Sequence, residues 1–259
     1  MKSNLLIDLW NRRSLIILLA FNDVKLRYRN SILGFFWSFL EPLLILSVLY
    51  FVFTNIVKTE IENYPLYLLL GLIMWYMFQR STTLGVTSLL DKAGIIQKIF
   101  IRREIVVISS ALTAFIMTIM EFAAFGVFLA IFQFVPPITI LLFPLLLIDL
   151  LFLSLGISLF LSVLTVYFRD IKFIWQIMLQ AMFFLSPIIY KLDMFPENIQ
   201  KILVLNPLVP ILDVGHNIVL YNTLPSLSLT LYIIGSTAAI FLIGYIVFRI
   251  KDRRLIEEL

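Results

Sequence analysis

The chain has 259 residues, 61% hydrophobic and 14% charged, with a mean hydropathy of +1.03, one histidine and no cysteine. Soluble domains run nearer half apolar and a quarter charged, so an aqueous fold and a disordered chain are both excluded. Disulfide frameworks, thiolate centres and multi-histidine zinc sites are excluded too, and the net charge of +4 informs only through its distribution along the chain.

Residues 5–30 come first. Arg12 and Arg13 precede an apolar run at 15–21 that has the look of a signal peptide. The run is too short to cross a bilayer, lacks a small-residue cleavage site, and is followed at once by Asp23, Lys25, Arg27 and Arg29. The pattern predicts an amphipathic helix in the cytoplasmic interface. Leu5, Leu6, Leu9, Trp10, Leu15, Ile16 and Leu19 would meet lipid while the basic residues reach head groups.

Six apolar stretches follow, at 35–57, 64–90, 105–135, 138–168, 171–190 and 227–248. At 1.5 Å per residue, about 20 residues cover the ~30 Å hydrocarbon core, so each is read as a span. In the first, Glu41 precedes Pro42, which predicts a helix kinked there or only just beginning. The second turns polar after Phe78, through Gln79, Arg80, Ser81, Thr82 and Thr83. The third and fourth exceed the required length and must tilt or project.

Residues 191–226 are apolar only in patches, broken by Asn206, Pro207, Pro210, Asp213, His216 and Asn217. A lipid-exposed span with such breaks leaves backbone groups unpaired, so a re-entrant hairpin on the outer face is predicted. Charge supports that count. With six spans and the N-terminus inside, 17 of the 20 basic residues lie in the cytoplasm, Arg80 among them, and Lys58, Lys191 and Lys201 lie outside. A seventh span would weaken the bias to 13 against 7. Both termini are therefore placed in the cytoplasm.

Polar residues inside the spans are few. Glu121 sits mid-way along the third and Asp149 in the fourth. Glu121 has two readings: a protonated acid bonded to a neighbouring helix, or a functional group facing an aqueous path. No basic residue is read as lying deep in a span, so a proton relay is not supported. His216, beside Asp213, reads as a hydrogen-bonded structural histidine, and no catalytic residue, cofactor or metal ligand is assigned.

Aromatic residues cluster at Phe35, Phe36, Trp37 and Phe39 and again at Phe173, Trp175, Phe183 and Phe184. They serve either as packing or as a stacking surface for sugar rings. Between the second and third spans, Asp91, Lys92, Ile95, Ile96, Lys98, Phe100, Arg102, Arg103 and Glu104 read as a short amphipathic helix at the membrane surface, offering apolar residues to a partner's groove. No G-x-x-x-x-G-K-[ST] loop occurs, so ATP hydrolysis by that route would need another polypeptide.

Five strings in order then become specific: residues 22–34 with Trp37 and Glu41-Pro42-Leu43, residues 98–105, Phe168-Arg169-Asp170-Ile171, Ser186-Pro187-Ile188-Ile189-Tyr190, and Asn206-Pro207-Leu208 with Pro210. Together they resemble the permeases of polysaccharide-exporting ABC transporters, the O-antigen and teichoic-acid type with the type 2 exporter fold. The resemblance spans nearly the whole chain and implies an all-α integral membrane protein. It has six transmembrane helices, an N-terminal interfacial helix and the outer re-entrant hairpin, in one domain of the inner membrane.

The resemblance further implies a substrate entrance at Lys25, Arg27, Tyr28, Arg29, Leu33 and Gly34 for a lipid-pyrophosphate-linked glycan, since basic residues suit an anionic head group. It places the helix of residues 91–103 in an ATP-binding subunit and the two aromatic clusters along the polymer channel. Expected partners are a second copy of the chain and two ATP-binding cassette subunits, which would hold the ATP and magnesium; no nucleic acid is expected. Two departures stand out. Arg102 occupies a place where many members have proline, and His216-Asn217 replaces an aromatic-Arg pair. A drug or lipid exporter of the same fold, an intramembrane enzyme and a proton-coupled carrier remain as alternatives.

Overall fold

A computed structural model describes residues 11–29, 31–57, 61–98 and 102–252. Expectations on Leu5, Leu6, Leu9, Trp10, Lys58, Phe100, Arg253 and Arg254, and on the Phe35 side chain, lie outside the described residues. Among the described residues the chain is helical without strands. Its helices are α1 (Arg13–Arg27), α2 (Trp37–Val52), α3 (Tyr64–Asp91), α4 (Ala93–Lys98), α5 (Arg103–Ile131), α6 (Phe143–Tyr167), α7 (Ile171–Leu185), α8 (Glu197–Leu203), α9 (Leu208–Leu220) and α10 (Leu227–Lys251).

Local chemistry sets their ends. Asn63 adopts a left-handed φ of 51° ahead of α3, and prolines at the first turns of α3 and α6 sit where no N–H is needed. Ser226 caps α10 by accepting from Leu229 N at 3.3 Å, and Arg249 and Lys251 in the last turn complement the helix dipole. At the far end of α7, Pro187 forces Ser186 into an extended conformation, so the helix stops after 15 residues. Pro42 lies inside α2 rather than at its start, because the helix already begins at Trp37.

Three segments are long and apolar enough to cross a membrane: Arg103–Ile131, Ile138–Tyr167 and Leu227–Lys251. The pair α8 and α9 meets at 108°, which is the geometry of a broken span or a re-entrant loop. Asn206-Pro207 makes that bend, with Asn206 Oδ1 accepting from Leu208 N at 3.1 Å. Helices α2 and α7 are shorter apolar segments.

Helix α3 is the axis of the molecule. Twenty of its 28 residues are buried, between α5 and α6 and against α2, α7 and α9. Small residues permit its approach to α6: Ser158 Oγ donates to Ser81 O at 3.3 Å and to Ser154 O at 2.7 Å. On the other side of α6, a Cβ on Gly156 would lie 2.6 Å from Phe241 Cα, so α10 packs backbone to backbone there. Helix α1 docks on α5 with Ile16, Ala20 and Val24, a stripe of period four. Ile16 thus faces protein rather than lipid, whereas Ile17, Leu18 and Phe21 are exposed.

Candidate functional site

Helix α3 starts at Tyr64, so Arg80 lies 16 residues, or about 24 Å, along it. The arginine is not solvated there but enclosed by protein. Its guanidinium is 5% exposed and joins two acids from different helices: Nη1 donates to Glu121 Oε1 on α5, and Nη2 to Glu41 Oε2 on α2 at 3.0 Å. Glu121 is fully buried, Glu41 nearly half exposed. Tyr76, one turn before Arg80, places its ring 5.1 Å from the guanidinium carbon. Glu121, which the sequence leaves without a counter-charge, thus has an ionic partner. A buried pair of this kind contributes little net stability over an apolar pair, but removing one member strands a charge.

Arg80 and Glu41 border two adjoining clefts that share Arg27 and Glu41. One, of about 430 Å³, is walled by Tyr28, Ser31, Trp37, Leu44 and Ile45. The other, of about 360 Å³, is walled by Tyr76, Gln79, Arg80 and Thr83. Two predicted entrance residues, Arg27 and Tyr28, therefore line the same cleft as Trp37 from the aromatic set, and Arg27 also lines that of the buried Arg80. Lys25 and Arg29 are exposed away from the clefts, and so is Leu33 at 44%. Gly34 turns the chain into α2 with φ +50°, a conformation that glycine adopts freely.

The predicted partner-binding loop divides in two. Asp91, Ile95 and Lys98 are exposed and Ile96 is half-buried. Lys92 is committed elsewhere, with Nζ 2.5 Å from Asp23 Oδ2 on α1. Arg103 and Glu104 face the end of α10: Arg103 pairs with Asp252, and Glu104, 3% exposed, accepts from Arg249 at 3.2 Å. These two residues are not part of the free face of α4; they lock α5 to α10. Arg102 stands at the N-cap of α5.

The aromatic set also divides. Phe36, Trp37, Phe173 and Phe184 are exposed, with Phe39 6.1 Å from Phe36. Trp175 is buried beside Phe78, and Phe183 meets Trp75 edge-on at 5.5 Å, so both serve the protomer's own core.

Asp149 differs from Glu121. It is half-buried, accepts from Thr237 Oγ1 at 3.0 Å, and is the sole charged group in the wall of an otherwise apolar cavity of about 340 Å³ between α6, α9 and α10. At the end of α3 opposite α4 lies a polar cavity of about 380 Å³. His216 forms its floor: buried, 3.7 Å from the Tyr67 ring, with Nε2 3.0 Å from Tyr67 O. Burial lowers its pKa to about 4, so it is a neutral structural histidine, as its isolation in the sequence suggests. Burial, then the neighbouring Asp193, push the Asp213 carboxyl up to about 6. No group of three metal-ligating side chains occurs among the described residues.

Long apolar helices around a buried charge network define a helical membrane protein. The chain belongs to the ABC-2 type transporter family, whose model matches residues 14–220. It is 31% identical over 195 residues to an O-antigen export system permease protein RfbA of Klebsiella pneumoniae, covering 75% of each chain. The RfbA permease of Myxococcus xanthus is 29% identical over 84% of this chain and 85% of its own. The polysialic acid transport protein KpsM of Escherichia coli is 23% identical over 93% and 94%.

Proposed function

We propose that the chain is the membrane permease of an ATP-driven exporter that moves a lipid-linked polysaccharide out of the cell. The reading rests most on one observation. Similarity to proteins named for O-antigen export and for polysialic acid transport extends over three quarters or more of both chains. The site agrees with it. A cleft that joins Arg27 to Trp37, Leu44 and Ile45 suits an amphiphile with an anionic head and an apolar tail. We read α2, α3, α5, α6, α7 and α10 as six spans in the inner membrane with both termini in the cytoplasm, and α8 with α9 as a re-entrant pair. Eleven of the 13 residues of α9 are buried by protein, which supplies the partners that an interrupted helix needs.

Six helices packed 8–10 Å apart fill their own centre with side chains, so the polymer path is placed between two copies of the chain. ATP hydrolysis falls to two separate ATP-binding subunits that grip the free face of α4, with Ile95 and Lys98 outermost. Such subunits drive the permease between states only by binding them unequally. The test is transport in sealed inverted vesicles holding the permease with its ATP-binding subunits and a lipid-linked glycan. ATP-dependent movement of glycan into the lumen, abolished when the subunits are omitted, is the expected result. Full activity from the permease alone would overturn the reading.

A further inference from the structure

The polar cavity opposite α4 is not used by the clefts around Arg80, and much of the hydrogen-bonding capacity of its wall is unspent. Asp193 carries an unpaired carboxylate. Asp213 accepts from Asn217 Nδ2 at 3.0 Å through Oδ2, which leaves its Oδ1 and the Asn217 Oδ1 unspent. Gln200 donates its amide to Phe195 O at 2.7 Å, so its Oε1 is unspent as well. Donors stand beside these acceptors: the Lys191 ammonium, 4.3 Å from the centre of the Tyr221 ring, and the second amide N–H of Asn217 and of Gln200. The wall thus offers donors and acceptors together, and each sugar hydroxyl, with one O–H to donate and two lone pairs to accept, answers both.

We propose that this cavity is a saccharide-binding subsite that holds a segment of the exported glycan at the end of the permease opposite its ATP-binding partners. The proposal rests on the export reading above. The volume of about 380 Å³ lies at the small end of the ~300–1,000 Å³ typical of ligand pockets and suits a short sugar segment. Recognition runs through hydrogen bonds more than stacking, because His216 covers one face of Tyr67 and Lys191 one face of Tyr221. A divalent cation fits less well: calcium takes about 6–8 oxygen ligands, whereas this wall offers two carboxylates and places the Lys191 ammonium among them. A glycan held here between strokes would be kept from slipping back.

The experiment uses the permease with its ATP-binding subunits in nanodiscs. The probes are oligosaccharides released by mild acid from the producing cell's own surface polysaccharide, and calcium alone in a parallel arm. Binding is read by saturation-transfer NMR. Loss of one hydrogen bond to a charged group corresponds to about a tenfold fall in affinity, expected for Asp213→Ala and for Asp193→Ala. Asp193 lies on an exposed turn, so its variant keeps the fold if Asp213→Ala does not. Equal binding by wild type and Asp193→Ala, or displacement of the sugar by calcium, would overturn the subsite. Export assayed on the same samples separates the two claims: export with unaltered binding in the variants refutes the subsite alone. Sugar binding lost in the variants, without any ATP-driven export, upholds the subsite and refutes the export reading.

Discussion

Glu121 and Asp149 give the same signal in the sequence, one acid in the middle of a long apolar run, yet the fold treats them oppositely. Glu121 is sealed at a three-helix contact and pinned to Arg80, which also holds Glu41. Asp149 rests in the wall of an apolar cavity with a single hydroxyl for company. The first is a charge network that ties α2, α3 and α5 into one unit beside the Arg27 cleft. The second is a local polar contact between α6 and α10. An intramembrane acid is thus informative about function only once its partners are known.

The contrast is sharpest in what removal costs. Arg80→Met leaves Glu121 buried without a counter-charge and is expected to cost about 3–5 kcal/mol, read as a large drop in the melting temperature of the detergent-purified protein. Adding Glu121→Leu to that variant should restore most of the loss, since apolar replacement of both partners is nearly neutral. A double variant no better than the single one would mean that the network does more than balance charge. Arg249→Ala should cost less, about 1–3 kcal/mol, because the Arg249 side of its pair with Glu104 is already exposed. Glu41→Gln should cost about 1 kcal/mol or less, since that carboxylate is nearly half exposed. Asp149→Asn is expected to be smallest, because asparagine still accepts from Thr237; a loss matching that of Arg80→Met would erase the distinction between the two acids.

Much of the architecture is legible in the sequence. The stretches at 64–90, 138–168 and 227–248 coincide within a few residues with Tyr64–Asp91, Ile138–Tyr167 and Leu227–Lys251, since proline and polar punctuation mark their ends. The break at Asn206-Pro207 was readable for the same reason. Arg80 was not, because Gln79, Ser81, Thr82 and Thr83 around it look like the exit from a membrane. The Thr82 hydroxyl instead bonds back to Phe78 O at 2.9 Å, Ser81 is buried against α6, and α3 continues with protein around it. The Arg103–Asp252 and Arg249–Glu104 contacts join residues about 150 positions apart, and no local pattern reports them.

The central claim is that substrate enters at the cleft between α1, α2 and α3. The absence of native cysteine makes single-cysteine labelling clean. Cysteines placed at Trp37 and Glu41 in the cleft, and at Leu231 on the exposed face of α10, would be joined to a photoreactive crosslinker and exposed to radiolabelled lipid-linked glycan in the complex with its ATP-binding subunits. The account predicts strong crosslinks at 37 and 41 that clear during ATP turnover, and background labelling at 231. Equal labelling at all three positions, or labelling at 231 alone, would contradict it.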